Sequence, residues 1–301
     1  MPTVWLNGSF IDEESASVSV RDTGLLHAAG VFTTMRAYGG KVFRLADHLQ
    51  RLGSSCDALS IPLENSDAEL TAATNELLKR NELSAARLRL TVTRGMARQN
   101  AAQGLWLAPT LFITATDLEP YPPEYYDRGL TAVLLDEQKL NPYDIQAGHK
   151  TLNYFSRLAA LREANRRSAG EALWFDVHNY LQSGSISNVF LVKEGKLLTP
   201  PTPGDLRDPT IAREIPYRRS ATLPGITRAV IFGLAKTMGI PVSPAAIDVN
   251  GVLSADEIFL TNSIMGIMPV CRIERHAIGD DKPGPLTRKL SELYAAEVVK
   301  P

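Results

Sequence analysis

A lysine amine attacks a carbonyl carbon only when it is neutral, which requires that something hold it away from bulk water. One lysine in this 301-residue chain has such a setting. Lys150 stands in the run Gly148-His149-Lys150-Thr151-Leu152-Asn153-Tyr154, after an irregular approach that includes Asn141 and Pro142. Residues 151–167 read as a helix, which places Lys150 at a helix head, partly shielded and carried by a rigid element. A second run, Leu223-Pro224-Gly225-Ile226-Thr227-Arg228, precedes another expected helix. Gly225 frees the backbone there, and the amides of Ile226 and Thr227 would point from the helix N-terminus at an anion such as a phosphate. Arg51, on the stretch that contains His48, and Asn262 and Ser263, after a strand, are further candidate anion contacts. The histidines lack metal-ligand spacing and the carboxylates do not cluster, so no metal is expected.

Positioning these groups takes two domains. An Asn7-Gly8 turn joins two short N-terminal strands, and strands follow at 18–20 and 31–38. Gly39-Gly40 turns the latter back into 41–43 as a hairpin. Apolar residues at helical spacing mark helices at 45–59 and 67–83, and alternation marks strands at 87–93 and 110–116. Residues 1–118 therefore read as a small α+β domain with an antiparallel sheet. Pro120, Pro122 and Pro123 break the pattern, which makes 119–125 an interdomain linker. Residues 126–301 carry strands at 130–135, 172–175, 187–192 and 257–260, with helices at 151–167 and 228–238. They read as a larger mixed domain with a partly closed, barrel-like sheet. Residues 203–221 are rich in arginine, acid and proline and look like an inserted loop. A solvated surface excursion is expected there, with a lid or dimer-contact element as the alternative.

Composition narrows the class. Hydrophobic residues make up 44% and charged residues 22%, with a net charge of −1. That balance gives no electrostatic reason to bind nucleic acid or an anionic membrane. The apolar runs are too short to span a bilayer. The N-terminal residues lack the basic and apolar regions of a signal peptide, so a cytoplasmic location is expected. Cys56 and Cys271 lie in no motif and read as buried free thiols.

Taken together and in order, these pieces resemble the fold-type IV family of pyridoxal-phosphate (PLP) enzymes, which includes branched-chain aminotransferases, D-amino-acid aminotransferases and 4-amino-4-deoxychorismate lyase. The resemblance runs nearly end to end. It takes in Asp22-Thr23-Gly24-Leu25-Leu26, Gly30-Val31-Phe32, Arg36, the His48–Leu52 stretch, Thr93-Arg94-Gly95 and Gly148-His149-Lys150. It continues through Ser187-Asn188-Val189-Phe190, Leu198-Thr199-Pro200-Pro201, the stretch from Leu223 to Arg228 and Gly284-Pro285-Leu286-Thr287. It implies the two-domain architecture of that fold, mixed α+β and α/β, with the active site between the lobes and a homodimer as the usual assembly. It implies that Lys150 forms a Schiff base with PLP and that Arg51, Ile226, Thr227 and Ser263 hold the phosphate. Gly225, Asn262 and Tyr154 fall in the same cofactor-binding set. Phe32, Arg36 and Tyr38 alternate onto one face of the substrate-side strand, where Arg36 and Tyr38 suit a substrate carboxylate. The expected substrates are an amino acid and a 2-oxo acid, handled by a branched-chain-like aminotransferase.

One departure bears on chemistry. Counting back five positions from Asn188 reaches Ser183, where the family typically carries a glutamate that pairs with the protonated pyridine nitrogen. At about 4 Å and an effective dielectric near 20, such a pair is worth roughly 4 kcal/mol, on the order of 3 pKa units. A serine instead leaves room for a lyase that eliminates pyruvate, or for a homologue whose catalysis is impaired or repurposed.

Overall fold

The computed structural model describes residues 1–100, 104–135 and 138–300, with the backbone alone at 97–100 and 104–107. Its internal contacts divide the chain into two units: Met1–Glu119 with His149–Tyr154, and Pro120–Gly148 with Phe155–Pro301.

The first unit contains strands β1 (Thr3–Leu6) and β2 (Ser9–Asp12), helix α1 (Thr23–His27), strands β3 (Gly30–Tyr38) and β4 (Lys41–Val42), and helices α2 (Leu45–Ala58) and α3 (Asp67–Arg80). Strands β5 (Ala86–Thr93), β6 (Met96–Asn100), β7 (Gly104–Ala108) and β8 (Leu111–Asp117) complete it. Six of the strands form an antiparallel sheet in the order β2-β1-β8-β5-β3-β4, while β6 and β7 pair as a separate hairpin. Gly39 and Gly40 both have positive φ, 54° and 76°, the geometry whose twist matches that of the flanking strands. Period-two alternation sends Val31, Met35 and Ala37 into the core beside Leu88, Leu90 and Ile113. Leu49 and Leu52 of α2 and Leu70, Leu77 and Leu78 of α3 cover that face. Each such leucine contributes roughly 1.5–3 kcal/mol by leaving water. The start of α3 is fixed by a capping box between Ser66 and Glu69.

Two expectations for this part of the chain need correction. Residues 18–20 are not a strand; they are irregular and exposed, with Val20 76% accessible. Three alternating residues bury too little to hold an extended segment without a partner. Lys150 is not at a helix head either, because the helix begins only at Phe155. Residues 150–152 run extended beside β3 instead. Phe32 N donates to Lys150 O, Leu152 N donates to Gly30 O, and Thr151 bridges Val31. Backbone groups on the side of β3 away from β5 outweigh local helical preference. The same pairing groups Lys150 with the first unit, whereas residues 126–301 were expected to form one domain.

The second unit runs α4 (Pro123–Arg128), β9 (Leu130–Leu134), α5 (Phe155–Arg166), β10 (Glu171–Phe175), β11 (Leu181–Gly184), β12 (Asn188–Lys193), β13 (Lys196–Thr199) and α6 (Pro209–Glu214). It continues with α7 (Ile226–Thr237), β14 (Val242–Pro244), α8 (Val249–Leu253), β15 (Glu257–Asn262), β16 (Gly266–Ile273), β17 (His276–Ala277) and α9 (Pro285–Val298). The expected linker is therefore only partly irregular. Pro123 opens α4, since a first-turn proline lacks only an N–H that would have no helical partner.

The main sheet follows the order β11-β10-β9-β16-β15-β12-β13-β14, with β17 beside β16. That order forces curvature. Strands β11 and β12 are joined by residues 185–187 alone, which reach at most about 14 Å at roughly 3.6 Å per residue. In a flat sheet five strand spacings of about 4.8 Å would separate them by roughly 24 Å. The sheet therefore curls as a half-barrel until β11 and β12 approach. Phe175, Leu173, Leu191, Ile258, Leu260 and Met268 are among the residues that fill its core.

The 203–221 segment is not a purely solvated excursion. It contains α6, and Ile215, Tyr217, Ser220 and Ala221 are buried. Cys56 and Cys271 are buried free thiols. Among the described residues no helix is long and apolar enough to cross a membrane.

Candidate active site

In the first unit, β3 divides its side chains between two tasks. Thr33, on the core face, receives a hydrogen bond from Arg51 Nη2 at 3.0 Å and lies 2.7 Å from His48 Nδ1. Burial, and then the charges of Arg51 and Lys150, bring His48 down to about 3, so its ring is neutral at ordinary pH. With Arg51 donating to Oγ1, the Thr33 hydroxyl hydrogen is available to Nδ1. Burial lowers Arg51 to about 10, opposed by Tyr154. Arg51 is thus fixed on α2 through a buried hydroxyl rather than waving in solvent.

On the opposite face, Phe32, Arg36 and Tyr38 follow one another at every second or fourth position, as expected. The Arg36 guanidinium lies 4.5 Å from the centre of the Tyr38 ring, and that of Arg89 lies 3.6 Å from the Phe32 ring centre. Lys150 Nζ reaches this face. It donates to Tyr154 Oη at 3.0 Å and sits 4.6 Å from the Phe32 ring centre. Phe32 and Tyr154 meet edge to face at 5.3 Å. Gly30 is required for this approach, since a Cβ there would lie 2.7 Å from both Leu152 Cδ1 and Val92 O. His149, next in the chain, bonds Ser55 Oγ of α2 through Nδ1 at 3.0 Å. Lys150, Tyr154, Arg51, Phe32, Arg36 and Tyr38 are therefore all carried by one unit.

In the second unit the polar groups are arranged differently. Gly225 is the N-cap of α7 and has no side chain of its own to take up the first amides of the helix. A Cβ on Gly225 would collide with Asn188 Oδ1, while Asn188 Nδ2 donates to Leu223 O at 2.9 Å. Thr261, paired with Asn188 across the sheet, has a buried Oγ1 with no hydrogen-bond partner among the described residues. Asn262 is occupied by its own turn: Oδ1 accepts from Ile264 N and Met265 N, and Nδ2 donates to Ile186 O. Its contribution is the shape of the turn that carries Ser263. A helix N-terminus capped by a glycine, an unsatisfied buried hydroxyl and a backbone cradle with no room for a side chain fit a phosphate group.

Ser183 lies on β11, and Arg157 of α5 donates to its Oγ at 3.2 Å. Composition gave no signal for Arg157. Neither did it reveal the link between β11 and the approach to α7, in which Thr222 Oγ1 donates to Gln182 O at 3.0 Å. The inserted segment is tied into the same elements. Asp205 pairs with the buried Arg228 of α7 at 2.7 Å, and Ser220 Oγ and Ala221 N both reach Gln182 Oε1 at 3.0 Å. No group of metal-ligating side chains occurs among the described residues.

Comparison with known proteins identifies the family. The family model described as amino-transferase class IV matches residues 30–273. A putative branched-chain-amino-acid aminotransferase of Methanocaldococcus jannaschii is 34% identical over 97% of this chain and 94% of its own length. The crystal structure of the Escherichia coli branched-chain amino acid aminotransferase superposes with a TM-score of 0.86 at 29% identity, covering 98% of this chain and 93% of that one. The branched-chain amino acid aminotransferase of Thermobaculum terrenum, solved in its PLP form, gives 0.82 at 27% identity, over 99% and 94% of the two chains. A family model over most of the sequence and end-to-end likeness to these enzymes lead to one conclusion: the chain belongs to the class IV aminotransferase family.

Proposed function

We propose that this aminotransferase uses PLP and transfers amino groups between a branched-chain-type amino acid and a 2-oxo acid, with Lys150 as the amine that links to the cofactor. The observation that carries the reading is the setting of Lys150 Nζ, bonded to Tyr154 Oη at 3.0 Å and fixed at its backbone to β3. When bound, PLP supplies an aldehyde for the amine and an electron-withdrawing ring that labilises the bond from Cα to hydrogen. Lys150 Nζ, displaced by the substrate amine, is the group that moves the Cα proton. Tyr154 Oη holds the amine during that exchange. Arg51, the amides of Ile226 and Thr227, and Ser263 hold the phosphate, with Gly225 and Asn262 shaping the backbone around it. Ser183 is the residue that would meet the ring nitrogen. Phe32 supplies apolar surface to the substrate side, and Arg36 with Tyr38 receives its carboxylate.

The likeness to branched-chain enzymes supports amino transfer over pyruvate elimination, and the retained lysine argues against a purely binding role. A cytoplasmic homodimer belongs to the same reading as what the family resemblance implies, and sedimentation of the purified protein and cell fractionation would check it. Borohydride reduction of the protein with PLP, followed by peptide mapping, tests the central assignment. The label is expected on Lys150; a label on another lysine, or none, would overturn it.

A further inference from the structure

We propose that Ser183 and Arg157 together make this site bind PLP with its pyridine nitrogen unprotonated, as a hydrogen-bond acceptor. This rests on the functional reading above and concerns the same site.

The polarity of the hydrogen bonds carries the inference. Arg157 Nη1 donates to Ser183 Oγ at 3.2 Å, and the same nitrogen reaches Gly184 O at 3.1 Å and Ser185 O at 3.2 Å. A guanidinium has donors and no acceptor. With one lone pair of Oγ engaged by a cation, Ser183 keeps its hydroxyl hydrogen and a second lone pair that lies beside that cation, and the hydrogen needs an acceptor. An unprotonated ring nitrogen is one. A ring N–H would instead have to share Oγ with a positively charged donor. The nitrogen is therefore met by a chain of donors running from guanidinium to hydroxyl to ring.

The fold holds that chain in place. Alternation along β11 puts Gln182 and Ser183 on opposite faces. The Gln182 side chain is consumed by Asp176 Oδ2, Ser220 and Ala221, and its carbonyl accepts from Thr222, which leads into the α7 N-terminus. Arg157 is braced by the Trp174 ring, 5.6 Å from its guanidinium carbon. Glu171 approaches the same turn without replacing the missing carboxylate. Its oxygens take Ala172 N, Ser185 N and Ser187 Oγ at 2.8–2.9 Å, and burial pushes it up, towards its neutral form. With an unprotonated nitrogen the ring withdraws fewer electrons from Cα.

The test uses holoenzyme loaded with PLP carrying 15N in the ring, its attachment to Lys150 verified by borohydride trapping. The 15N resonance of the wild type is expected in the neutral-pyridine range. Arg157→Leu is expected to move it part of the way towards the pyridinium range, and the pair Ser183→Glu with Arg157→Leu all the way. A pyridinium resonance in Lys150-linked wild type would overturn this proposal and leave the functional reading intact. An Arg157→Leu resonance identical to wild type would overturn the part given to Arg157. Failure of the protein to take up labelled PLP at all would remove both.

Discussion

The lysine-bearing segment beside β3 and the turn between β11 and β12 present polar groups in opposite ways. The first puts side chains forward: an amine, guanidinium groups and two aromatic rings, mounted on a strand whose other face is core. The second presents mainly backbone, in the amides that begin α7 and the carbonyls of the 184–185 turn, with hydroxyls and an amide side chain between them. Side-chain chemistry tolerates small backbone changes but depends on single residue identities. Backbone chemistry tolerates many substitutions but fails when a Cβ appears in the wrong place.

That contrast can be tested. The largest effect is expected from Lys150→Ala, which removes the group that moves a proton and should slow amino transfer by about 10²–10⁴-fold, measured as single-turnover absorbance change with a branched-chain amino acid. Retention of the wild-type rate would place the chemistry elsewhere. Gly225→Ala probes the backbone side. Its Cβ would strike Asn188 Oδ1, so a cost of about 1–3 kcal/mol from overpacking and weaker PLP uptake are expected together in urea unfolding and equilibrium dialysis. Thr33→Val and Thr261→Val then separate two buried hydroxyls. Loss of the Thr33 hydroxyl removes the buried bonds it makes with Arg51 and His48 and should cost about 1–3 kcal/mol. Thr261→Val should leave the cofactor-free protein within about 0.5 kcal/mol of wild type yet weaken phosphate binding, because its Oγ1 has no partner among the described residues to lose.

A last test is a pH dependence, which is gradual and spread over several pH units. His48 is lowered to about 3 in the folded chain from an ordinary 6.5. Between those values the unfolded chain binds a proton that the folded chain does not, so stability rises with pH by up to about 1.4 kcal/mol per unit. This contribution is complete above about 6.5 and is lost as pH falls towards 3. Urea titrations from pH 7 down to 4.5 should show this slope in wild type and lose it in His48→Asn.

How much of this the residues alone announced follows the same divide. Alternation located β3, β5 and β8, helical spacing located α2 and α3, and β9, β10, β12, β15 and α7 were likewise expected, because those patterns are written locally. Lys150 stood out by type and context, but its mounting did not. Residues 151–154 carry no mark saying that β3 offers free amide and carbonyl groups to pair with, so a helix was expected where an extended segment forms. Arg157 was invisible for a related reason: nothing near position 157 indicates that the sheet curls until the 185–187 turn comes within reach of α5. The buried parts of the 203–221 segment depend on Gln182 and Arg228, residues distant in sequence and unremarkable in type.

The pairing of residues 150–152 with β3 also has a bearing on how the chain is made. A nascent polypeptide that has emerged only as far as Glu119 would leave the outer rim of β3 at Gly30 and Phe32 bare, a template for adventitious pairing with other chains. Completion of that sheet must await synthesis through Tyr154. A truncated fragment ending at the boundary between the units should consequently clump rather than fold as an autonomous module.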